Sequence, residues 1–230
     1  MHADYWQEKW AADSIGFHQD RPNKRLAEHW PALGIAPGTP VFVPLCGKTL
    51  DMLWLHGRGH PVLGVELADK AVRAFLDENG LACERRTDGA FERFSGTGSA
   101  AGIELLVGDF FALTAADLES CGAFYDRASL IAMDDGLRAR YTHHLGQIVR
   151  PDATGLLLAI DYDRAKMKGP PFAVPDAMVR GLLGEDFAID ELARHGGPER
   201  LGNLAGRGLD TLDERVYRLR RGGTGAPARP

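Results

Sequence analysis

Hydrophobic and polar positions change rhythm several times along the chain. Residues 41–45 (VFVPL), 62–66 (VLGVE), 103–107 (IELLV), 123–127 (AFYDR) and 155–161 (GLLLAID) are short, dense apolar runs. Such runs mark strands covered on both faces, as in a parallel sheet. Between them the apolar positions recur at helical spacing over 49–56, 68–78 and 136–149, with a short turn or helix near 115–119. This alternation predicts βαβ units in an α/β, Rossmann-like domain: a mostly parallel sheet with helices on both faces. The rhythm breaks late in the chain. Residues 187–192 and 215–219 read as two strands with a Gly-rich connection and no long helix between them, which predicts an antiparallel edge to the sheet.

Residues 1–37 precede the first sheet strand. The stretches DYWQEKWAAD and RPNKRLAEHWPAL are amphipathic and carry Trp6, Trp10 and Trp30, so a helical cover or lid segment is expected there. Residues 222–230 (GGTGAPARP) have nothing apolar to bury and read as a disordered tail. One domain over 1–221 is therefore expected.

Composition narrows the function classes. With 27 basic and 32 acidic residues the net charge is −5, which argues against an extended nucleic-acid surface. Cys46, Cys83 and Cys121 are scattered and form no C-x-x-C pair, which suits a reducing cytoplasm better than a disulfide framework. The opening MHADYWQEKW is too polar for a signal peptide, and the apolar run 156–160 is far too short to span a bilayer. A cytoplasmic protein is expected, and nothing in the sequence requires more than a monomer. No metal site is expected: His143 and His144 are neighbours on a predicted helix and diverge by about 100°, so they cannot share an ion.

The candidate chemistry sits where strands end. Gly47-Lys48-Thr49 looks like the tail of a phosphate-binding P-loop, G-x-x-x-x-G-K-[ST]. The first glycine of that pattern is replaced by Phe42, inside a strand, and Pro44 removes an N–H donor, so a nucleoside triphosphate is not the expected ligand. In an open α/β sheet, ligands bind beyond the carboxyl ends of the strands. Strand two ends at Glu66, 19 residues after Gly47. An acid at that position accepts from both hydroxyls of an adenosine ribose, or else caps the helix that follows. Strand three ends in GDFFAL, where Asp109 could accept from an adenine amino group and Phe110 could offer a flat wall. Strand four ends in YDRASL, with Asp126 and Arg127. Leu45, Glu66, Asp109 and Arg127 thus occupy four strand ends and point to an adenosine-containing ligand. The stretch PLCGKTLDM has a single glycine, too few for a dinucleotide's pyrophosphate, so S-adenosylmethionine is the expected cofactor.

The segments VFVPLCGKTLDMLWL, GHPVLGVEL, GDFFAL, YDRASLIAM and GPPFAVP, with the opening WQEKWAADSIGFHQ, resemble the thiopurine S-methyltransferase family in its bacterial branch. The likeness runs from about Tyr5 to Leu219. It implies a class I methyltransferase fold, S-adenosylmethionine as methyl donor, and sulfur of aromatic or heterocyclic thiols such as thiopurines as acceptor, with selenium and tellurium oxyanions as a further acceptor class. It also implies cofactor contacts at Trp10, Leu45, Glu66 and Arg127, with Asp109 and Phe110 near the adenine. Acceptor contacts are implied at Phe17 and at Pro170 and Pro171 of the GPPF segment. A late arginine of the animal enzymes falls near Asn203 here, with Arg200 and Arg207 as neighbours. That departure leaves the acceptor's acidic group without an assigned partner.

No dedicated catalytic base is expected, because an aromatic thiol is acidic enough to react without one. Two other readings remain at this point: a sensor that binds S-adenosylmethionine without turnover, and a nicotinamide-dependent oxidoreductase on a similar sheet. The missing glycines weigh against the second.

Overall fold

The computed structural model describes residues 3–16, 18–198 and 201–222; Phe17, Arg200 and the tail from residue 223 lie outside the described residues. Packing groups the chain into two units, 1–125 and 126–230, where the strand–helix rhythm is read as one domain.

The first unit begins with α1 (Ala3–Ala11) and α2 (Lys24–His29), which runs into a 3-10 turn at Trp30–Leu33. The sheet follows: β1 (Val41–Val43), α3 (Asp51–Gly57), β2 (Val62–Glu66), α4 (Asp69–Glu78), β3 (Cys83–Asp88), β4 (Phe91–Gly96), β5 (Ile103–Val107) and β6 (Ala123–Arg127). The order here is β3-β4-β5-β2-β1-β6. The members β5, β2, β1 and β6 are parallel. Every residue of β1 and β2 is buried, the signature of strands covered on both faces. On α4 the buried positions Ala71, Val72, Phe75 and Leu76 form one stripe, as an amphipathic helix on a sheet requires.

Two features differ from the sequence expectation. The first strand ends at Val43 rather than Leu45, because Pro44 has no N–H for the ladder and Leu45 turns into the left-handed region at φ 47°. A hairpin, β3–β4, precedes β5 and pairs antiparallel with it. The sequence of β3, CERRTD, is largely exposed and has no strand-like apolar run. The strand is held by its ladder to β4, whose Phe91 and Phe94 are buried, and charges line it: Arg85 pairs with Glu92, Arg93 donates to Asp88 at 2.7 Å, and the Arg73 and Arg85 guanidinium groups lie 5.5 and 5.7 Å from the Phe94 ring centroid. A charged edge strand also resists pairing with other chains. Under the sheet, the buried Asp51 carboxylate accepts from the backbone N–H of Asn23 at 2.6 Å and from the Tyr125 hydroxyl at 3.1 Å. That acid fastens the N-terminal segment to α3 and β6.

The second unit contains α5 (Ser129–Ala132), α6 (Asp135–Ile148), β7 (Thr154–Asp161), α7 (Asp176–Leu183), β8 (Phe187–Gly197) and β9 (Leu212–Arg221). The expected antiparallel pair is present: β9 runs between β7 and β8 and is antiparallel to both. Both strands are longer than their apolar cores implied, and β8 has an irregularity between Glu191 and Ala193. No helix among the described residues is long and apolar enough to cross a membrane.

At the end of β6, Asp126 is 1% exposed and accepts a 2.7 Å hydrogen bond from the Tyr141 hydroxyl of α6. Burial outweighs the hydrogen bonds and pushes its carboxyl from 3.8 up to about 6. The folded chain therefore keeps this proton over a pH range in which the unfolded chain has lost it. The associated stability is complete below the unfolded value and is lost as pH rises through the folded one. Urea denaturation of the parent and of Asp126→Asn from pH 4 to 7.5 is expected to diverge, the parent losing about 2 kcal/mol relative to the variant across the window. Parallel stability profiles would show that Asp126 is not buried in this way.

Candidate active site

The turn after β1 and the turn after β2 meet on one side chain. Glu66, the last residue of β2, is 6% exposed. Its Oε2 accepts from the backbone N–H of Gly47 at 2.8 Å, and its Oε1 accepts from that of Ala68 at 2.9 Å. Burial pushes the carboxyl up, and the backbone N–H groups of Ala68, Gly47 and Leu67 pull against it. The helix-capping alternative is thus realised, since Ala68 is the residue that opens α4. Each carboxylate oxygen still has acceptor capacity beyond the one bond described.

The loop from Pro44 to Thr49 is shaped for close approach. Leu45 and Gly47 both take positive φ, 47° and 53°. A Cβ at Gly47 would come within 3.1 Å of the Trp10 ring, so only glycine lets that ring settle on the loop. Beneath the loop a Cβ at Gly64 would stand 2.8 Å from both the Cys46 sulfur and the Leu105 side chain. Cys46 is 5% exposed, and burial together with the Glu66 charge pushes its thiol up, so it is a packing residue. Lys48 donates to both oxygens of Glu78, at 2.6 and 2.9 Å. The two groups a phosphate would need here, the Gly47 N–H and the Lys48 ammonium, are therefore both directed at carboxylates.

Trp10 is 4% exposed and packs with Ile15, Ala68 and Ala71. Lys70 of α4 reaches back to the Ala11 carbonyl at 3.2 Å and to Asp13 at 2.7 Å, which ties the end of α1 over the same turn. Trp10, Leu45, Gly47 and Glu66 are thus gathered by packing and backbone hydrogen bonds. Asp109, after β5, is exposed and accepts from the Phe111 N–H at 3.0 Å. Phe110 is 3% exposed and stacks on Phe42 with centroids 6.5 Å apart. The flat wall expected of it faces the core, and it is the neighbouring Phe111 that stays half-buried. The double Phe of GDFFAL carried that ambiguity.

In the second unit Arg127 is half-buried at the tip of β6, just before a left-handed turn at Ala128 (φ 72°). The GPPF segment is held by Tyr162, which the sequence reading did not name, and by Arg207, which it named without this contact. Tyr162 donates its hydroxyl to the Pro171 carbonyl at 2.6 Å, and Arg207 donates to the Pro170 carbonyl at 2.6 Å. Arg138, 1% exposed, donates to the Leu130 carbonyl at 2.8 Å and lies 5.8 Å from the Phe172 ring centroid. Beside this segment is a cavity of about 200 Å³ whose lining includes Asp134, Tyr162, Arg164, Lys168, Phe172 and Ala173. A buried arginine with acids three residues before it is a visible sequence signal, but periodicity does not tell which helical arginine turns inward.

Comparison with solved structures places the chain among methyltransferases by fold. It aligns over 96% of its length with a Burkholderia thailandensis N1-methyltransferase determined with S-adenosylhomocysteine, covering 87% of that chain at a TM-score of 0.63 and 14% identity. An N-methyltransferase from Bradyrhizobium japonicum, also determined with S-adenosylhomocysteine, aligns over 95% of this chain and 97% of its own at 0.62 and 12% identity. The fold is a Rossmann-like class I methyltransferase fold. At the level of sequence, the thiopurine S-methyltransferase family model matches residues 1–222. A thiopurine S-methyltransferase from Azotobacter vinelandii is 51% identical over 96% of this chain and 100% of its own length. One from Pseudomonas aeruginosa is 47% identical over the same shares. With these matches, the chain belongs to the thiopurine S-methyltransferase family.

Proposed function

We propose that this S-adenosylmethionine-dependent methyltransferase receives the cofactor's ribose at Glu66 and methylates the sulfur of an aromatic or heterocyclic thiol such as a thiopurine. The observation that carries the reading is the buried Glu66 carboxylate, fixed by backbone N–H groups from two loops and still able to accept further bonds. A ribose offers two adjacent hydroxyl donors, which match those two oxygens. When bound, the cofactor supplies a methyl group already activated on a sulfonium.

The chain's own residues then have positioning to do. Leu45 and Gly47 present backbone beside the ribose, Asp109 and Phe111 flank the adenine with Phe110 packed behind them, and Trp10 covers the cradle from α1. Arg127 offers a cation for a carboxylate or an anionic thiol. Phe17, Pro170 and Pro171 are proposed acceptor contacts. No base is assigned: alignment of two bound partners alone supplies about 7–11 kcal/mol of barrier reduction. No disulfide joins Cys46, Cys83 and Cys121, which is in keeping with work in a reducing cytoplasm.

The deciding assay supplies methyl-labelled S-adenosylmethionine with 6-mercaptopurine and follows label into product. Cofactor binding without transfer to any thiol would favour a sensor instead, and selenite in the same assay tests the oxyanion class. Glu66→Ala is expected to weaken S-adenosylhomocysteine binding about tenfold or more in calorimetry, since each hydrogen bond to a charged group contributes about 1.5–3 kcal/mol. Unchanged affinity in a folded variant would remove Glu66 from the site. Lys48→Ala is expected to leave that affinity within about twofold, because its ammonium is directed at Glu78. ATP hydrolysis by the parent that this substitution abolishes would overturn the reading of the loop. Trp10→Ala is expected to accelerate amide exchange over residues 5–16 and to weaken S-adenosylhomocysteine binding. Faster exchange with unchanged affinity would make the tryptophan a structural anchor only.

A further inference from the structure

We propose that Arg207 and Tyr162 are positioning residues for acceptor recognition, acting through the carbonyls of Pro170 and Pro171. This rests on the reading of the GPPF segment as an acceptor contact. Residues 169–171 are Gly-Pro-Pro, and neither proline has an N–H. Two successive residues without N–H donors cannot anchor themselves to neighbouring acceptors, so their position depends on donors brought to their carbonyls. Two side chains bring them. Arg207, at the end of the 202–207 turn, reaches back 37 residues to the Pro170 carbonyl at 2.6 Å. Tyr162, just after β7, reaches the Pro171 carbonyl at the same distance.

The segment's later backbone donors are already in use. Phe172 N–H donates to the Ile131 carbonyl at 2.6 Å and Val174 N–H to the Ile160 carbonyl at 2.7 Å. Tyr162, Phe172 and Ala173 line the 200 Å³ cavity, so the group that holds Pro171 also faces the space the segment borders. Burial pushes the Tyr162 phenol up, which keeps it a donor across the working pH range. Among the described residues Arg207 pairs with no carboxylate; its one described hydrogen bond goes to this carbonyl. Arg207 is exposed, so its loss leaves the core intact and isolates the clasp from general stability.

The experiment compares the full chain with Arg207→Gln, Arg207→Lys and Tyr162→Phe. It measures thiopurine KM and kcat, S-adenosylhomocysteine Kd, melting temperature, and amide exchange at residues 172–174 and in β7. For Arg207→Gln and Tyr162→Phe, acceptor KM is expected to rise about fivefold or more. Cofactor Kd and β7 exchange should stay at parental values, while exchange at 172–174 accelerates. Arg207→Lys, which keeps a charged donor, should recover part of the loss. Unchanged exchange at 172–174 overturns the clasp. Faster exchange with unchanged acceptor KM overturns its role in recognition, and a parallel loss of cofactor affinity overturns its being local. If the parent transfers no methyl group to a thiol, the proposed function fails on that ground alone, and exchange at 172–174 still decides whether the clasp exists.

Discussion

A carboxylate removed from water has to be met by donors, and at the end of β2 that requirement organises the loops around it. Glu66 could be left unpaired only at a cost of several kcal/mol. The donors available are backbone N–H groups, that of Gly47 from the turn after β1 and those of Leu67 and Ala68 from the turn after β2. Satisfying them fixes both turns at once. Gly47 must then take its left-handed conformation, Leu45 is carried into the same region, and the flat patch that results is where the Trp10 ring rests. The acid expected to touch a ligand is therefore also the acid that builds the ligand's surroundings. The two readings of Glu66, cap and ribose acceptor, need not compete, because each oxygen has more than one lone pair.

The same geometry explains why a loop ending in Gly-Lys-Thr is not a phosphate loop. Phosphate binding needs N–H groups and an ammonium aimed outward at a common point. Here the Gly47 N–H turns inward to Glu66, and Lys48 lies against Glu78. A negatively charged ligand at this turn would meet the Glu66 carboxylate, whereas the ribose of the proposed function would meet two acceptors.

Strand ends and the Glu66 position were legible because parallel strands buried on both faces write dense apolar runs, and β2, β5 and β6 fall on those runs residue for residue. The β3–β4 hairpin was not legible, since β3 is a largely exposed edge strand of charged residues and only Phe91 and Phe94 of β4 reach the core. Phe110 shows a finer limit. GDFFAL names an aromatic wall, but a one-residue choice between Phe110 and Phe111 depends on the turn that follows, where Asp109 accepts from the Phe111 N–H. The holders of the GPPF segment were hidden for a different reason. Tyr162 and Arg207 act on carbonyls that lie 9 and 37 residues away in sequence, and no local pattern records such a reach.

An enzyme that methylates sulfur must also keep its own sulfur from reacting. Cys46 belongs to the loop that carries Gly47, close to the proposed cofactor cradle. The nucleophile in such chemistry is the thiolate, not the thiol. Burial and the neighbouring Glu66 charge both push the Cys46 thiol up, so it stays protonated, and its sulfur is packed against Gly64 with no room for a Cβ between them. An incoming aromatic thiol is under neither constraint: it ionises more readily and arrives from outside the packed core. Burial first, and the Glu66 charge second, keep this nearest cysteine in the protonated form, which is the poorer nucleophile.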